Sequence, residues 1–213
     1  MIDELLRQKS AALGIDLGEV EIGTLVKYAE LIVKWNRTIN LVATASACNL
    51  VRDHIVDCLA AVPFIDGSRI VDVGAGAGLP GIVIAILRPQ SEVFLVESRQ
   101  RKARFLRHVA IELGLHNISI VAQRIETWQP DDAVDFVVCR GYGALGKFID
   151  DTRALHHVGC QLVAMKGASP AAEIAALSVD VHAISVRVLT VPGWRQRHLV
   201  TIDSGKLSNA QAP

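Results

Sequence analysis

The chain lacks net charge. Its 213 residues carry 22 Lys+Arg against 22 Asp+Glu, for a formal charge of +0. That excludes a protein that coats nucleic acid by bulk charge and leaves room for a local basic patch. No apolar run reaches the ~18 residues a membrane helix needs. The start, MIDELLRQKS, places acids early with no long apolar stretch behind them, which is not the pattern of a secretory signal. Cysteine is scarce: Cys48, Cys58, Cys139 and Cys160 form no C-x-x-C pair, and no His stands at zinc-ligand spacing from two of them. The expectation is free thiols in a reducing cytoplasm and no metal site. Internal repeats and low-complexity tracts are missing too. What remains is 51% hydrophobic and 21% charged, an ordinary globular composition. A chain of this length buries about 70% of its unfolded surface without staples, as one domain or a domain with a small appendage.

Residues 1–65 read as a helical extension packed on a core, with no linker to make it a separate folding unit. In Thr24–Leu41, the apolar Leu25, Tyr28, Leu31, Ile32, Trp35 and Ile39 recur at helical spacing, and Lys27, Glu30, Lys34 and Arg37 form the solvated stripe. A second helix is expected over Leu50–Val62, ending before Pro63. From residue 66 to 205 the pattern changes. Short apolar strands at Ile70–Val73, Val93–Val96, Ile118–Ala122, Val134–Cys139 and Gln161–Met165 alternate with helices at Leu79–Leu87, Arg101–Leu113, Leu145–Leu155 and Ala171–Leu177. Such alternation predicts an α/β fold, a mostly parallel sheet covered on both faces. His182–Val191 and Arg197–Asp203, separated by a Pro-Gly turn, are expected to pair antiparallel at the sheet edge. Residues 206–213 read as a frayed tail.

The strongest local signal is Ile70-Val-Asp-Val-Gly-Ala-Gly-Ala-Gly-Leu-Pro-Gly81. A strand runs into Gly74, Gly76 and Gly78 and a helix follows, so a ligand can approach the backbone at a helix start. No Lys follows Gly81, which excludes a nucleotide P-loop. The spacing satisfies G-x-G-x-x-G with Glu97 about 20 residues on, but the chain is too short to add a second mononucleotide half and a substrate domain. The fuller pattern, Asp72 ahead of the glycines and Glu97 ending the second strand, resembles instead a class I (Rossmann-like) methyltransferase that uses S-adenosyl-L-methionine.

Further motifs appear in order: Lys34-Trp-Asn-Arg-Thr-Ile-Asn-Leu41, Arg52-Asp-His-Ile-Val-Asp57, the Asp72–Gly81 loop, Phe105-Leu-Arg, Arg124-Ile-Glu126, Cys139-Arg140, Lys166-Gly167 and Arg197-His-Leu-Val200. Over roughly residues 20–203 this series resembles the small-subunit (16S) rRNA guanine-N7 methyltransferase family, long called glucose-inhibited division protein B. The resemblance implies a seven-stranded sheet and methyl transfer from S-adenosyl-L-methionine to N7 of a guanine. It implies cofactor contacts at Asp72, Gly74, Gly76, Gly78 and Leu79. Glu97 is implied at the ribose, Ile125 and Glu126 at the adenine, and Arg140 beside both cofactor and substrate. The family usually has Asp at Glu97, Thr at Ala75 and Ser-Arg-Ala at Cys139-Arg140-Gly141. Glu97 keeps the carboxylate on a longer arm; Gly141 removes a side chain from the substrate loop.

N7 of guanine carries a lone pair and no proton, so its methylation needs no general base, and catalysis reduces to positioning and electrostatics. Arg140 is accordingly assigned to substrate orientation. Ser98–His108 holds Arg99, Arg101, Lys102, Arg104 and Arg107 without an acid. Candidate RNA contacts are Lys34, Arg37, Arg99, Arg101, Lys102, Tyr142, Lys166, Arg195 and Arg197, with Tyr142 the best stacking surface, Trp194 another and Trp35 a core residue. For His54 and Asp57, a structural hydrogen bond between the helical cap and the loop is weighed above a catalytic pair. The expected partner is small-subunit rRNA within a ribosomal particle, bound by a cytoplasmic monomer. Alternatives are an RNA-binding assembly module with an inactive methyltransferase fold, a methyltransferase for a small molecule or protein, and a nicotinamide oxidoreductase.

Overall fold

The computed structural model describes residues 1–44, 46–178, 181–193 and 196–207. The helical extension comprises α1 (Ile2–Ala12), α2 (Glu19–Asn36), α3 (Ala47–Leu50), a π-helical turn (Val51–Ile55) and α4 (Val56–Ala61), closed by a 3-10 turn at Val62–Phe64. Beyond it run β1 (Arg69–Val73), α5 (Gly81–Leu87), β2 (Glu92–Val96), α6 (Gln100–Leu113), β3 (Ile118–Val121), β4 (Phe136–Arg140), α7 (Leu145–Asp151), β5 (Gln161–Lys166), α8 (Ala171–Ala175), β6 (Ile184–Leu189), β7 (Arg197–Asp203) and α9 (Ser204–Leu207).

The strands form one seven-stranded sheet in the order β3-β2-β1-β4-β5-β7-β6. The first five are parallel; β7 is antiparallel to β5, and β6 to β7. Both expected edge strands pair as read, with Val181–Ala183 tightened into a 3-10 turn before β6. The chain reverses direction across the sheet between β1 and β4, and in open α/β sheets such a switch point leaves a crevice at the carboxyl ends of the strands.

Several helix boundaries differ from the periodicity. The helix expected over Thr24–Leu41 starts at Glu19 and stops at Asn36, because the Asn36 side chain takes over the turn. Its Oδ1 accepts the N–H groups of Leu41 (2.8 Å) and Val42 (3.1 Å), and its Nδ2 donates to the carbonyls of Val42 and Thr44. The helix expected from Leu50 to Val62 is three segments with a widened turn in the middle, and Pro63 sits inside the closing 3-10 turn, at a helix-start position that needs no N–H. The helix expected from Leu79 starts at Gly81, with Pro80 as its N-cap. The one expected over Leu145–Leu155 ends at Asp151 and resumes as a 3-10 turn.

Side chains alternate across the sheet. Ile70, Val138, Val163, Met165 and Leu199 point into a cluster shared with α1–α6, while Val71, Val73, Val137, Cys139 and Leu162 point into a second cluster with Phe148 and Ile149 of α7. The helical extension is therefore part of the larger core, not an appendage to it. Cys58, Cys139 and Cys160 are buried free thiols and Cys48 is an exposed one. Among the described residues no helix is long and apolar enough to cross a membrane.

Candidate active site at the strand ends

β1 delivers its residues alternately to the two faces, so Asp72 points with Ile70 toward the α5 layer. There Asp72 Oδ2 accepts the N–H of Gly81 (2.8 Å). Oδ1 has no described hydrogen-bond partner, and the residue is 1% exposed. Burial pushes the Asp72 carboxyl up to about 7; the Gly81 N–H and Arg140 oppose the rise, and Glu97 adds to it.

The glycine turn follows. Gly74, Gly76 and Gly78 all take positive φ (67°, 58° and 87°), which L side chains rarely adopt. At Gly74 a side chain is disfavoured twice over, because a Cβ would also lie 3.0 Å from the Tyr142 ring, which would have to give way. Glu97, at the end of β2, reaches back across this turn. Its Oε2 accepts the N–H of Gly76 (3.0 Å) and its Oε1 that of Arg99 (2.7 Å). The longer arm of Glu thus ties the turn to the start of α6, and each oxygen keeps one lone pair for a further donor. The buried Tyr28 hydroxyl of α2 donates to the Ala77 carbonyl (2.7 Å), so the helical extension also holds the turn.

Two cavities open on this rim. One, about 190 Å³, is lined by Gly74, Val96, Ser98, Ile125, Glu126 and Tyr142. The other, about 270 Å³, lies over β4 and β5 and is lined by Asp57, Arg140, Tyr142, Lys166 and Arg197. Tyr142 forms the wall between them. Its hydroxyl donates to Asp151 (2.6 Å), which also pairs with Lys147, and its ring meets Phe148 edge-on. Burial raises the Tyr142 phenol pKa, and the Asp151 carboxylate raises it further.

The polar groups of the second cavity are engaged with one another. Arg140, two residues beyond Val138 on β4, faces the helical extension. Its Nη1 lies 3.1 Å from His54 Nδ1 and 3.6 Å from Asp57 Oδ2. Asp57 Oδ1 lies 3.2 Å from Arg197 Nε. Burial pushes the Asp57 carboxyl up, against the pull of both arginines. Burial, then Arg140, lowers His54 to about 4, so the ring is neutral and its Nδ1 accepts. On the other sheet face Lys166 donates to the Gly143 carbonyl (2.5 Å) and pairs with Glu173 (2.8 Å), which accepts the Leu145 N–H that starts α7.

Gly74, Ile125, Glu126, Arg140, Tyr142, Lys166 and Arg197 line the two cavities of this rim, and Gly76 and Glu97, bonded to each other, stand beside them; Asp72 (1% exposed), Gly78 and Leu79 (4% exposed) are buried beneath the rim. Arg99, Arg101 and Lys102 begin α6 beside it, and a Cβ on Gly76 would lie 3.8 Å from Lys102 Nζ. α2 runs antiparallel to α6, with Lys27 bonded to the Glu112 carbonyl and Trp35 against Phe105 and His108, so exposed Lys34 and Arg37 join the same basic end. Trp194 and Arg195 lie outside the described residues, as does the tail from Ser208. Sequence reasoning took Tyr28 for an apolar helix position and Asn36 for part of the Lys34–Leu41 motif, without a role for either polar end; those ends carry the contacts that matter here, and no periodicity marks them. Among the described residues no group of three or more His, Cys, Asp or Glu is placed to hold a metal.

A mixed sheet of this order, with a glycine turn after β1 and an acid ending β2, defines a class I, Rossmann-like methyltransferase. A predicted O-methyltransferase from Agrobacterium tumefaciens is similar in structure (TM-score 0.55, 25% identity, 70% of this chain and 79% of that one). An S-adenosylmethionine-dependent methyltransferase from Aquifex aeolicus shares the fold (TM-score 0.52, 18% identity, 72% and 92%). Within the class the chain belongs to the rRNA small subunit methyltransferase G family, whose model matches residues 21–200. It is 42% identical to the ribosomal RNA small subunit methyltransferase G of Pseudomonas syringae pv. tomato over 191 residues (89% of this chain, 90% of the relative). Against that of Chromobacterium violaceum it is 42% identical over 197 residues (92% and 94%).

Proposed function

We propose that this methyltransferase modifies N7 of a guanine in small-subunit (16S) rRNA, with S-adenosyl-L-methionine as donor. One observation carries the choice of atom. The cavity beside the cofactor cleft is lined by one carboxylate, that of Asp57, which two arginines already engage, and the neighbouring His54 is neutral and held by Arg140. A site methylating an oxygen or an exocyclic amine needs a group to take a proton. This site has none disengaged among its described lining residues, and N7 needs none.

The donor set suits the cofactor. Glu97 offers a lone pair on each oxygen to a ribose diol, the turn at Gly74–Gly78, without a Cβ at Gly74 and Gly76, admits the amino-acid portion, and Ile125 with Glu126 borders the cleft where the adenine belongs. Bound there, that cofactor would supply an electrophilic methyl group to the N7 lone pair, with its sulfur leaving as the neutral thioether that keeps the electron pair of the broken S–CH3 bond. Tyr142, between the two cavities, offers its ring face to the base. Arg140 orients the guanine by its carbonyl edge or neighbouring phosphate. The basic start of α6 holds the RNA backbone without reading sequence.

The test uses methyl-labelled cofactor and small ribosomal subunits from cells lacking the enzyme, followed by chain cleavage at 7-methylguanine. A single new cleavage in the small-subunit rRNA is expected. Label in RNA without cleavage overturns the N7 assignment. Cofactor binding without transfer to RNA favours an inactive assembly module.

A further inference from the structure

Two features outside the cofactor cleft meet at one side chain. The first is the π-helical turn Val51–Ile55, where the helix between Ala47 and Ala61 widens. Such turns concentrate at functional sites and re-aim the residues that follow. Here His54 and Asp57, from the widened turn and the α turn after it, both face the ends of β4 and β7. The second is the way Asp57 is shared. Its Oδ2 lies 3.6 Å from Arg140 Nη1 and its Oδ1 3.2 Å from Arg197 Nε. The carboxylate side chain is 7% exposed, whereas the two arginine side chains are 21% and 18% exposed and line the 270 Å³ cavity.

Stability does not account for this arrangement. Placing a carboxylate between two guanidiniums under a layer of helices carries a desolvation cost that well-packed apolar groups avoid. What the shared carboxylate does supply is geometry. Arg140 and Arg197 come from strands separated in the sheet by β5, and one buried carboxylate, in ion-pair contact with both, draws the two guanidiniums to the same side of the cavity. His54 Nδ1 accepts from the same Nη1 of Arg140 that faces Asp57, a third restraint that adds no competing charge.

We propose that Asp57 is a positioning residue for methyl transfer: from the helical extension, it holds the guanidiniums of Arg140 and Arg197 in the orientation that receives the target guanine and the phosphate beside it. The proposal rests on the functional reading above. It makes the helical extension a working part of the substrate site as well as part of the core.

The experiment uses the full chain, hypomethylated small subunits and methyl-labelled cofactor. The wild type comes first, since its failure to label RNA overturns the functional reading itself. Given an active wild type, Asp57→Asn is expected to bind cofactor within about twofold of wild type while kcat on saturating subunits falls about tenfold or more, because alignment and not ground-state binding is lost. Asp57→Glu, which restores the charge on a longer arm, is expected to recover part of that loss. In an Arg197→Lys background, Asp57→Asn is expected to cost much less than in wild type, because the group it acts through is already changed. An undiminished kcat in Asp57→Asn overturns the proposal. So does the same fold loss in both backgrounds. Unfolding of both Asp57→Asn and Asp57→Glu also overturns it, by assigning Asp57 to stability.

Discussion

Asp72 sits under the glycine turn with one oxygen bonded and one not, and its burial has a consequence for pH. Its folded pKa is raised to about 7, mainly by burial, from an unfolded value of about 4. The folded chain therefore binds the proton more tightly, and the stability this contributes is full below about pH 4 and is lost as pH rises through about 7. His54 has the opposite sign: its folded pKa is lowered to about 4 by burial and Arg140, so its contribution is full above about 6.5 and is lost as pH falls through about 4. Between pH 5 and 8 the Asp72→Asn variant is expected to lose less stability than the wild type, measured without cofactor by denaturant unfolding. Parallel curves for the two proteins would show that Asp72 does not hold its proton. Gly81 gives a second test at this scale. A Cβ there would collide with the Leu95 side chain and lie 2.7 Å from Asp72 Oδ2. Gly81→Ala is expected to cost about 1–3 kcal/mol of stability and to weaken cofactor binding by displacing the carboxylate. Calorimetry of folding and of cofactor binding measures both.

At the scale of elements, the helical extension reaches the glycine turn through one hydroxyl. Tyr28→Phe keeps the ring that packs at the centre of the core but leaves the buried Ala77 carbonyl without its donor. A loss of about 1–3 kcal/mol is expected. A rise in cofactor Kd should accompany it, since the turn that carries Gly76 is no longer tethered; unchanged Kd would separate the tether from cofactor binding. This contact also marks the boundary of what the sequence made legible. The sheet was readable because buried parallel strands such as Ile70–Val73 and Val93–Val96 are short apolar runs, and local patterning carries them. The switch from parallel to antiparallel was readable because Pro192-Gly193 separates two strand-like runs. The glycine turn was readable because backbone geometry demands glycine there, and Glu97 because it stands about 20 residues on, ending the second strand. The widened turn at Val51–Ile55 was not: its residues fit an ordinary helical stripe, and no local pattern marks the wider form. The pairing of Asp57 with Arg140 and Arg197 was equally hidden, since it joins residues distant in sequence that a common sheet face brings together.

For the molecule as a whole, the formal charge of +0 hides an asymmetry. Exposed Arg99, Arg101, Arg104 and Arg107, with Lys102, follow the acid that ends β2, and Lys34 and Arg37 lie beside them. At about 1.5 Å per residue, Arg107 stands about 12 Å further along α6 than Arg99, so under the proposed function the phosphate contacts nearest the strand ends are expected from Arg99 and Arg101. Neutralising that pair, Arg99→Gln with Arg101→Gln, is expected to raise the KM for subunits, leave cofactor Kd unchanged, and reduce the slope of log affinity against log salt by about one per lost contact. Arg107→Gln is expected to do little by comparison; equal effects along the helix would assign the whole face to solvation. The same asymmetry bears on the form of the substrate. A patch this small on a chain with no excess charge gives weak non-specific attraction for bare RNA at physiological salt. A folded particle instead presents the target guanine and its neighbouring phosphates already arranged, so fewer contacts suffice, and the ordering cost is met before binding. Transfer to intact small subunits at about 150 mM salt is therefore expected to exceed transfer to the same rRNA stripped of protein, with the gap narrowing as salt is lowered and the basic patch gains range. Equal rates on the two substrates at that salt would mean that the patch and the arginine pair recognise a local RNA shape that needs no ribosomal protein to hold it.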